Sequence, residues 1–266
     1  SMQDLNMLAA GTYQVTITDT NNCSKNHFYT LTEPSVLALD LSSPTFVGGY
    51  NLSCNNDSTG VINLSVSGGI PTYQYAWVGP NTYTSTTQNI ENLIAGEYIV
   101  TVTDTNSCVG LDTLTITEPL AISSSVLLSD FNGFNVSCFE SSEGSIDLSV
   151  VGGNANYQYL WTNNDGFYET NEDISNLIAG EYYVNITDTN GCKHDTTITL
   201  TQPQQIIDSL YVPTYFGGYN VSCNESSDGT ITSFTFGGVA PFNYSWSGPN
   251  GYSSSDSNLT NLVAGT

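Results

Sequence analysis

Positive charge is nearly missing from this chain: its 266 residues include 2 Lys and Arg (Lys25 and Lys193) against 25 Asp and Glu, a formal net charge of −23. Such a surface cannot neutralise phosphates, so nucleic acids and anionic bilayers are excluded as partners. Charge of either sign is scarce as well. Charged residues make up 10% of the chain, against about 25% in an ordinary soluble domain, so the polar surface must be built from Ser, Thr, Asn, Gln and Gly. Histidine is limited to His27 and His194, each just after a cysteine, and both read as exposed turn residues. A nucleophilic triad therefore has no recurring base, and the expectation is that the chain is not an enzyme. No apolar run reaches the roughly 20 residues that cross a bilayer, and no basic-then-apolar segment opens the sequence. The reading is a soluble chain without membrane insertion, any targeting signal lying outside these residues. Helix formers are few, while Thr, Val, Ile and Tyr are abundant, which favours strands.

What is present is repetition. The heptapeptide NLIAGEY of residues 92–98 returns unchanged at 176–182, with variants ending at Tyr13 and Thr266. Downstream follow ITDTNNC, VTDTNSC and ITDTNGC, closing at Cys23, Cys108 and Cys192. A second set begins at Tyr50, Phe134 and Tyr219 and contains Cys54, Cys138 and Cys223, spaced by 84 and 85 residues. Self-similarity at a fixed period marks a tandem array.

Within one period the alternation is that of strands. Aromatics take every second position in Tyr73, Tyr75, Trp77, in Tyr157, Tyr159, Trp161 and in Phe242, Tyr244, Trp246. One face of this strand is therefore core, with Trp77, Trp161 and Trp246 at its centre. Val61, Leu64 and Val66 mark a preceding strand, and Tyr98, with Tyr182 in the next copy, opens a later one. Pro34, Pro119 and Pro203 follow the last strand and read as joints, because proline cannot extend a ladder. Roughly seven short strands per period, with Trp on the third and Tyr at the start of the sixth, make an immunoglobulin-type β-sandwich. The expected fold class is all-β, in tandem sandwiches forming an elongated rod. The divisions are a C-terminal part of a repeat at 1–34, complete repeats at 35–119 and 120–203, and an N-terminal part at 204–266. The window thus reads as cut from a longer array.

The ordered pattern C-x-x-x-S-x-G-x-I, GG, Y-x-Y-x-W, NL-x-AG-x-Y, TDTN-x-C and T-x-P resembles the SprB repeat, itself similar in pattern to polycystic-kidney-disease (PKD) sandwich domains. The resemblance covers essentially the whole chain. It implies a giant bacterial surface adhesin of gliding Bacteroidetes, exported by the type IX system and attached at the outer membrane. Its partners would be other repeats of the same chain, the motility and secretion machinery and, through other regions, the substratum or surface glycans. Such repeats also act as spacers in other large surface proteins.

Two cysteines per period fit structural disulfides in an oxidising exterior. Pairing within a repeat would join Cys54 to Cys108 and Cys138 to Cys192. Pairing across a joint would join Cys23 to Cys54, Cys108 to Cys138 and Cys192 to Cys223. The first is favoured because both cysteines belong to one motif. Against it, Cys54 ends the first strand and Cys108 begins the last, roughly 25 to 30 Å apart, whereas a disulfide needs Cα atoms within about 7 Å. No cofactor is implied, and calcium is the one metal carried forward, with Asp19, Asp104, Asp188, Glu33 and Glu118 as candidate ligands. The competing account is that an Asp in such a turn serves its own backbone, and the third joint has Gln202 in place of glutamate. Glu172 and Asp173 lack counterparts in the other copies and read as a solvated loop. Tyr83, Phe167, Tyr168 and Tyr252, in the loop after the Trp strand, are candidates for stacking on sugars or for local packing. The triplets beginning at Asp57, Asp112, Asp195 and Asp208 resemble a short Bacteroidetes O-glycosylation signal.

Overall fold

A computed structural model describes residues 5–265, all strands, turns and two short 3-10 turns. Residues 1–4 of the expected partial repeat 1–34, and Thr266 of 204–266, lie outside the described residues. The chain divides into two compact units, Ser1–Ala121 and Ile122–Thr266.

The first unit opens with a hairpin of β1 (Gly11–Thr18) and β2 (Ser24–Leu31). Seven strands follow: β3 (Ala38–Ser42), β4 (Gly60–Ser67), β5 (Gln74–Val78), β6 (Thr84–Ser85), β7 (Ile90–Leu93), β8 (Gly96–Thr103) and β9 (Val109–Ile116). They form two antiparallel sheets, ordered β3-β4-β7 and β6-β5-β8-β9. This is the layer pair of an immunoglobulin-type sandwich, with Trp on the third strand and Tyr on the sixth.

The second unit repeats the plan with β10 (Ser123–Leu128), β11 (Gly144–Val151), β12 (Gln158–Thr162), β13 (Tyr168–Glu169), β14 (Ile174–Leu177), β15 (Gly180–Thr187) and β16 (Lys193–Leu200). Its sheets are β10-β11-β14 and β13-β12-β15-β16. Five further strands complete it: β17 (Ile207–Tyr211), β18 (Gly229–Phe236), β19 (Trp246–Ser247), β20 (Ser253–Ser254) and β21 (Asn258–Leu262).

Alternation fixes what is inside. Ile62, Leu64, Trp77, Tyr98, Val100 and Val102 pack as one core, and Ile146, Leu148, Trp161, Tyr182, Val184 and Ile186 as its copy. In β4 Leu64 is buried and Val66 packs against the core as expected, while Ile62 and not Val61 takes the next inward position. A strand presents only every second side chain to the core, so Val61 and Leu64 cannot share a face. Each indole nitrogen donates to a loop carbonyl ten residues on: Trp77 to Thr87 at 2.9 Å, Trp161 to Asn171 at 3.0 Å and Trp246 to Asp256 at 2.8 Å. Each Tyr hydroxyl at the head of the sixth strand donates four residues back, Tyr98 to Ile94 at 3.1 Å and Tyr182 to Ile178 at 3.0 Å. Such a bond is the tyrosine corner of sandwich folds.

The GG turn recurs for a steric reason. Gly68 has φ +74°, and a Cβ there would stand 1.9 Å from the Val36 carbonyl oxygen; at Gly237 it would stand 2.0 Å from that of Gln205. Trp246 departs from the expected core: it is only partly buried, whereas Trp77 and Trp161 are 1% and 0% exposed. Among the described residues its strand β19 pairs with β20 and not with a counterpart of β8.

If the indole is the keystone of each core, Trp161→Ala should cost about 3–5 kcal/mol and Tyr182→Phe about 1 kcal/mol. Urea unfolding followed by circular dichroism measures both. Equal small losses would show that the indole is not central.

Candidate functional site

The polar residues that recur in every copy gather at the two ends of each sandwich. At the leading end sits the TDTN turn. Asp104 is buried and its carboxylate is engaged on both oxygens: Oδ1 accepts the N–H groups of Asn106 (2.9 Å) and Cys108 (2.8 Å), and Oδ2 that of Ile70 (2.9 Å). The Ile70 N–H is the main cause that holds the Asp104 carboxyl below its ordinary range. Asp188 repeats the arrangement with Asn190, Cys192 and Asn154, and Asp19 with Asn21 and Cys23. The aspartate thus ties its own turn to the GG turn, so an anion is kept in the fold by N–H donors.

At the trailing end, the loop before β4 is stapled to the end of β9. Asn51 and Leu52 donate their N–H groups to the Thr117 carbonyl at 3.0 Å, while the Asn51 Oδ1 accepts from the Thr117 N–H and hydroxyl. Asn56 N–H donates to Glu118 Oε2 at 2.6 Å. In the second unit Asn135 pairs with Thr201 in the same way, and Glu140 N–H donates to Gln202 Oε1 at 2.8 Å. Glutamine serves where glutamate stood because the position needs an acceptor oxygen, whatever its charge.

Asp104 lies at the leading end and Glu118 at the trailing end of one sandwich, about eight strand residues apart, or roughly 26 Å, so the structure does not bring them together. Glu33 is exposed in the segment between β2 and β3. Among the described residues no group of three or more His, Cys, Asp or Glu gathers as a metal site requires.

The cysteines depart from both expected schemes. Cys54 and Cys192 are disulfide-bonded, while Cys23, Cys108, Cys138 and Cys223 are free and exposed. Cys54 lies in a turn before β4 instead of ending a strand. Because its loop is stapled to Thr117 while Cys108 heads β9, a strand length separates the pair, and bonding within the repeat is ruled out. The same holds for Cys138 and Cys192. The pairing of Cys108 with Cys138 across the joint is overturned as well, since both thiols are free.

His27 and His194 stand on strands, opposite Val15 and Ile186, because the turn closes at its cysteine and the next strand starts at once. His194 Nε2 lies 3.1 Å from the Ser124 hydroxyl. Asp173 is no solvated outlier: its Oδ1 accepts the Leu148 N–H at 2.8 Å, the role of Asn89 toward Leu64 and of Asn258 toward Ser233. Asparagine and aspartate share that acceptor oxygen, which single-letter comparison hides. Glu172 lies by Tyr159, whose hydroxyl is pushed up chiefly by burial and then by this carboxylate.

Of the loop aromatics, Tyr83 packs edge-on against Tyr98 with ring centroids 5.4 Å apart, and Phe167 does the same to Tyr182 at 5.3 Å. These two close the core. Tyr168, 66% exposed, and Tyr252, 37% exposed, face solvent.

Glu143 gives the loops a pH dependence. Ser137, through its hydroxyl and N–H, holds the Glu143 carboxyl down to about 2 from 4.5. A depressed folded-state value stabilises above the unfolded value and is lost as pH falls through the folded one. Wild type should therefore exceed Glu143→Gln in stability above pH 4.5, the gap closing on acidification toward about 2; urea midpoints across that range measure it. Alkylation of the native chain followed by intact-mass measurement should show four modified thiols, and six after reduction; protection of Cys108 or Cys138 would contradict the assignment.

Three segments, residues 50–82, 134–166 and 219–251, match the family described as the SprB repeat. No curated protein matches the chain. Among solved structures it is similar to the tetra-tandem repeat in the extending region of a large adhesion protein, at 14% identity over 98% of this chain and 75% of that one, with TM-score 0.31. It is also similar to a Dscam structure, at 12% identity over 72% of this chain and 54% of that one, TM-score 0.27. Murine CEACAM1b follows at 13% identity over 62% and 100%, TM-score 0.24. The chain spans about half the length of the Dscam chains it matches. With a matched segment in each of three successive copies, the chain is consistent with a SprB-type repeat protein.

Proposed function

We propose that these residues are a structural stalk segment of a giant bacterial cell-surface adhesin of the gliding-motility type, without enzymatic activity, projecting an adhesive region and bearing load. The observation that carries this reading is the duplication of the whole unit: core, corner tyrosine, both end staples and GG turn recur in the second copy. A job shared by all copies is mechanical, since each repeat contributes the same fold and length. The SprB match supports the cell-surface setting, and the disulfide fits an oxidising exterior. Export by the type IX system and attachment at the outer membrane follow from the family resemblance. Calcium at the joints is part of this proposal only as an additive effect to be measured.

A second reading, glycan binding through variable loops, is favoured by one observation, the solvent-facing Tyr168 and Tyr252.

Stretching single molecules in reductant tests the first reading. Two equivalent force peaks are expected, each releasing the contour of a repeat, roughly 290 Å at about 3.5 Å per residue. Extension without peaks would overturn the load-bearing role. Sugar affinity lost on Tyr168→Ala would favour the second reading, and stiffening of the peaks by calcium would place the ion in the stalk.

A further inference from the structure

The turn between β10 and β11 departs from its counterparts and brings three reactive groups together. In the first copy the corresponding turn runs Phe46, Val47, Gly48, Gly49, Tyr50, and in the third Tyr215, Phe216, Gly217, Gly218, Tyr219. The second copy is one residue shorter, Phe131, Asn132, Gly133, Phe134, with the two phenylalanines bonded N–H to carbonyl in both directions. Asn132 and Gly133 have φ of +56° and +90°, the two-residue hairpin turn in which Asn-Gly is favoured. The turn accounts for Asn132. It does not call for Asp130, which stands where the other copies have Thr45 and Thr214.

Asp130 Oδ1 accepts the Gly133 N–H at 2.7 Å. Asp130, Asn132 and Gly133 are all exposed, and a Cβ on Gly133 would meet nothing within 4 Å, so water reaches the turn. An exposed aspartate is ionised at neutral pH. A carboxylate thus stands within general-base reach of the backbone nitrogen that can close on the Asn132 side chain.

We propose that Asn132 is a self-modifying site, with Gly133 N as nucleophile and Asp130 as base. The nitrogen attacks Asn132 Cγ and forms the N–Cγ bond of a five-membered imide, while Asp130 takes its proton and passes it to the departing amide nitrogen. The Cγ–Nδ2 bond breaks and ammonia leaves. Water then opens the imide at either carbonyl, giving aspartate or isoaspartate, with no redox change. The other two Asn-Gly pairs lack such a base. Gly191 N–H donates to the Asp188 backbone carbonyl at 3.0 Å, and the Asp188 carboxylate is taken by the N–H groups of Asn190 and Cys192 instead. Beyond Asn250 and Gly251 the nearest acid along the chain is Asp256, which accepts the Ser254 hydroxyl at 3.0 Å.

Either product adds a carboxylate, and isoaspartate also adds a methylene to the backbone of a turn that has room for two residues. Asn135 lies two residues on. Its side-chain amide donates to the Ser129 carbonyl at 2.9 Å, its carbonyl accepts the Ser129 hydroxyl at 2.7 Å, and its Oδ1 accepts the Thr201 N–H. Conversion therefore loosens the trailing-end staple of the second sandwich and leaves that of the first untouched. The inference is independent of the stalk reading, since it concerns the chemistry of one turn.

Peptide mapping by mass spectrometry after storage of the whole folded chain in warm neutral buffer tests it, with an isoaspartate methyltransferase to count the rearranged product. The expected result is the mass gain of an amide replaced by a carboxylate, accumulating at Asn132 several-fold faster than at Asn190 or Asn250. Asp130→Asn keeps an acceptor oxygen without the base, and should slow conversion at Asn132 several-fold in the folded chain while leaving it unchanged in urea. Equal rates at the three asparagines of the folded wild type, no slowing in Asp130→Asn, or the same slowing in urea would each overturn the inference.

Discussion

The structure depends on an indole held between two small sheets. Trp77 and Trp161 are the largest fully buried side chains, and each is fixed at both ends, by apolar contact on the ring and by its N–H on a loop carbonyl ten residues away. The ring sets the gap between layers, and the hydrogen bond sets where the connecting loop lies. The corner tyrosine meets it from the opposite sheet and is capped in turn by Tyr83 or Phe167. With so few large side chains per repeat, removal of one would leave a cavity that its neighbours cannot fill.

A charge-poor chain closes its sandwich ends by other means than ion pairs. Amide and carboxylate oxygens take up backbone N–H groups at every turn: Asp104 and Asp188 at the leading ends, Asn51 and Asn135 at the trailing ones, Asn89 and Asp173 between sheets. Hydrogen bonds from N–H to a carboxylate are among the stronger kinds, and these form without a cation. The excess negative charge is therefore partly a structural product, carboxylates spent on their own backbone.

Much of this was legible in the residues. The period, the strand content, the Trp and Tyr core positions and the sandwich class follow from alternation and spacing, because a strand's burial period is two and the aromatic positions obey it. The turn role of Asp104 was legible as one of two readings. Three features were not. The partner of a cysteine depends on which end of a strand its loop is stapled to, and that is set by the Asn51–Thr117 contact across 66 residues. The equivalence of Asp173 with Asn89 rests on a shared oxygen, invisible to letter matching. The exposure of Trp246 and of Val15 depends on which strands lie alongside, a tertiary fact that no local pattern encodes.

The central claim is that each complete repeat is one cooperative core built around its indole. Native-state hydrogen exchange on the whole chain tests it most directly. The account predicts matched, strongest protection for the amides of β8 and β15, with β1 and β19 exchanging much faster. Protection spread evenly along the chain, or strongest in β1, would contradict it.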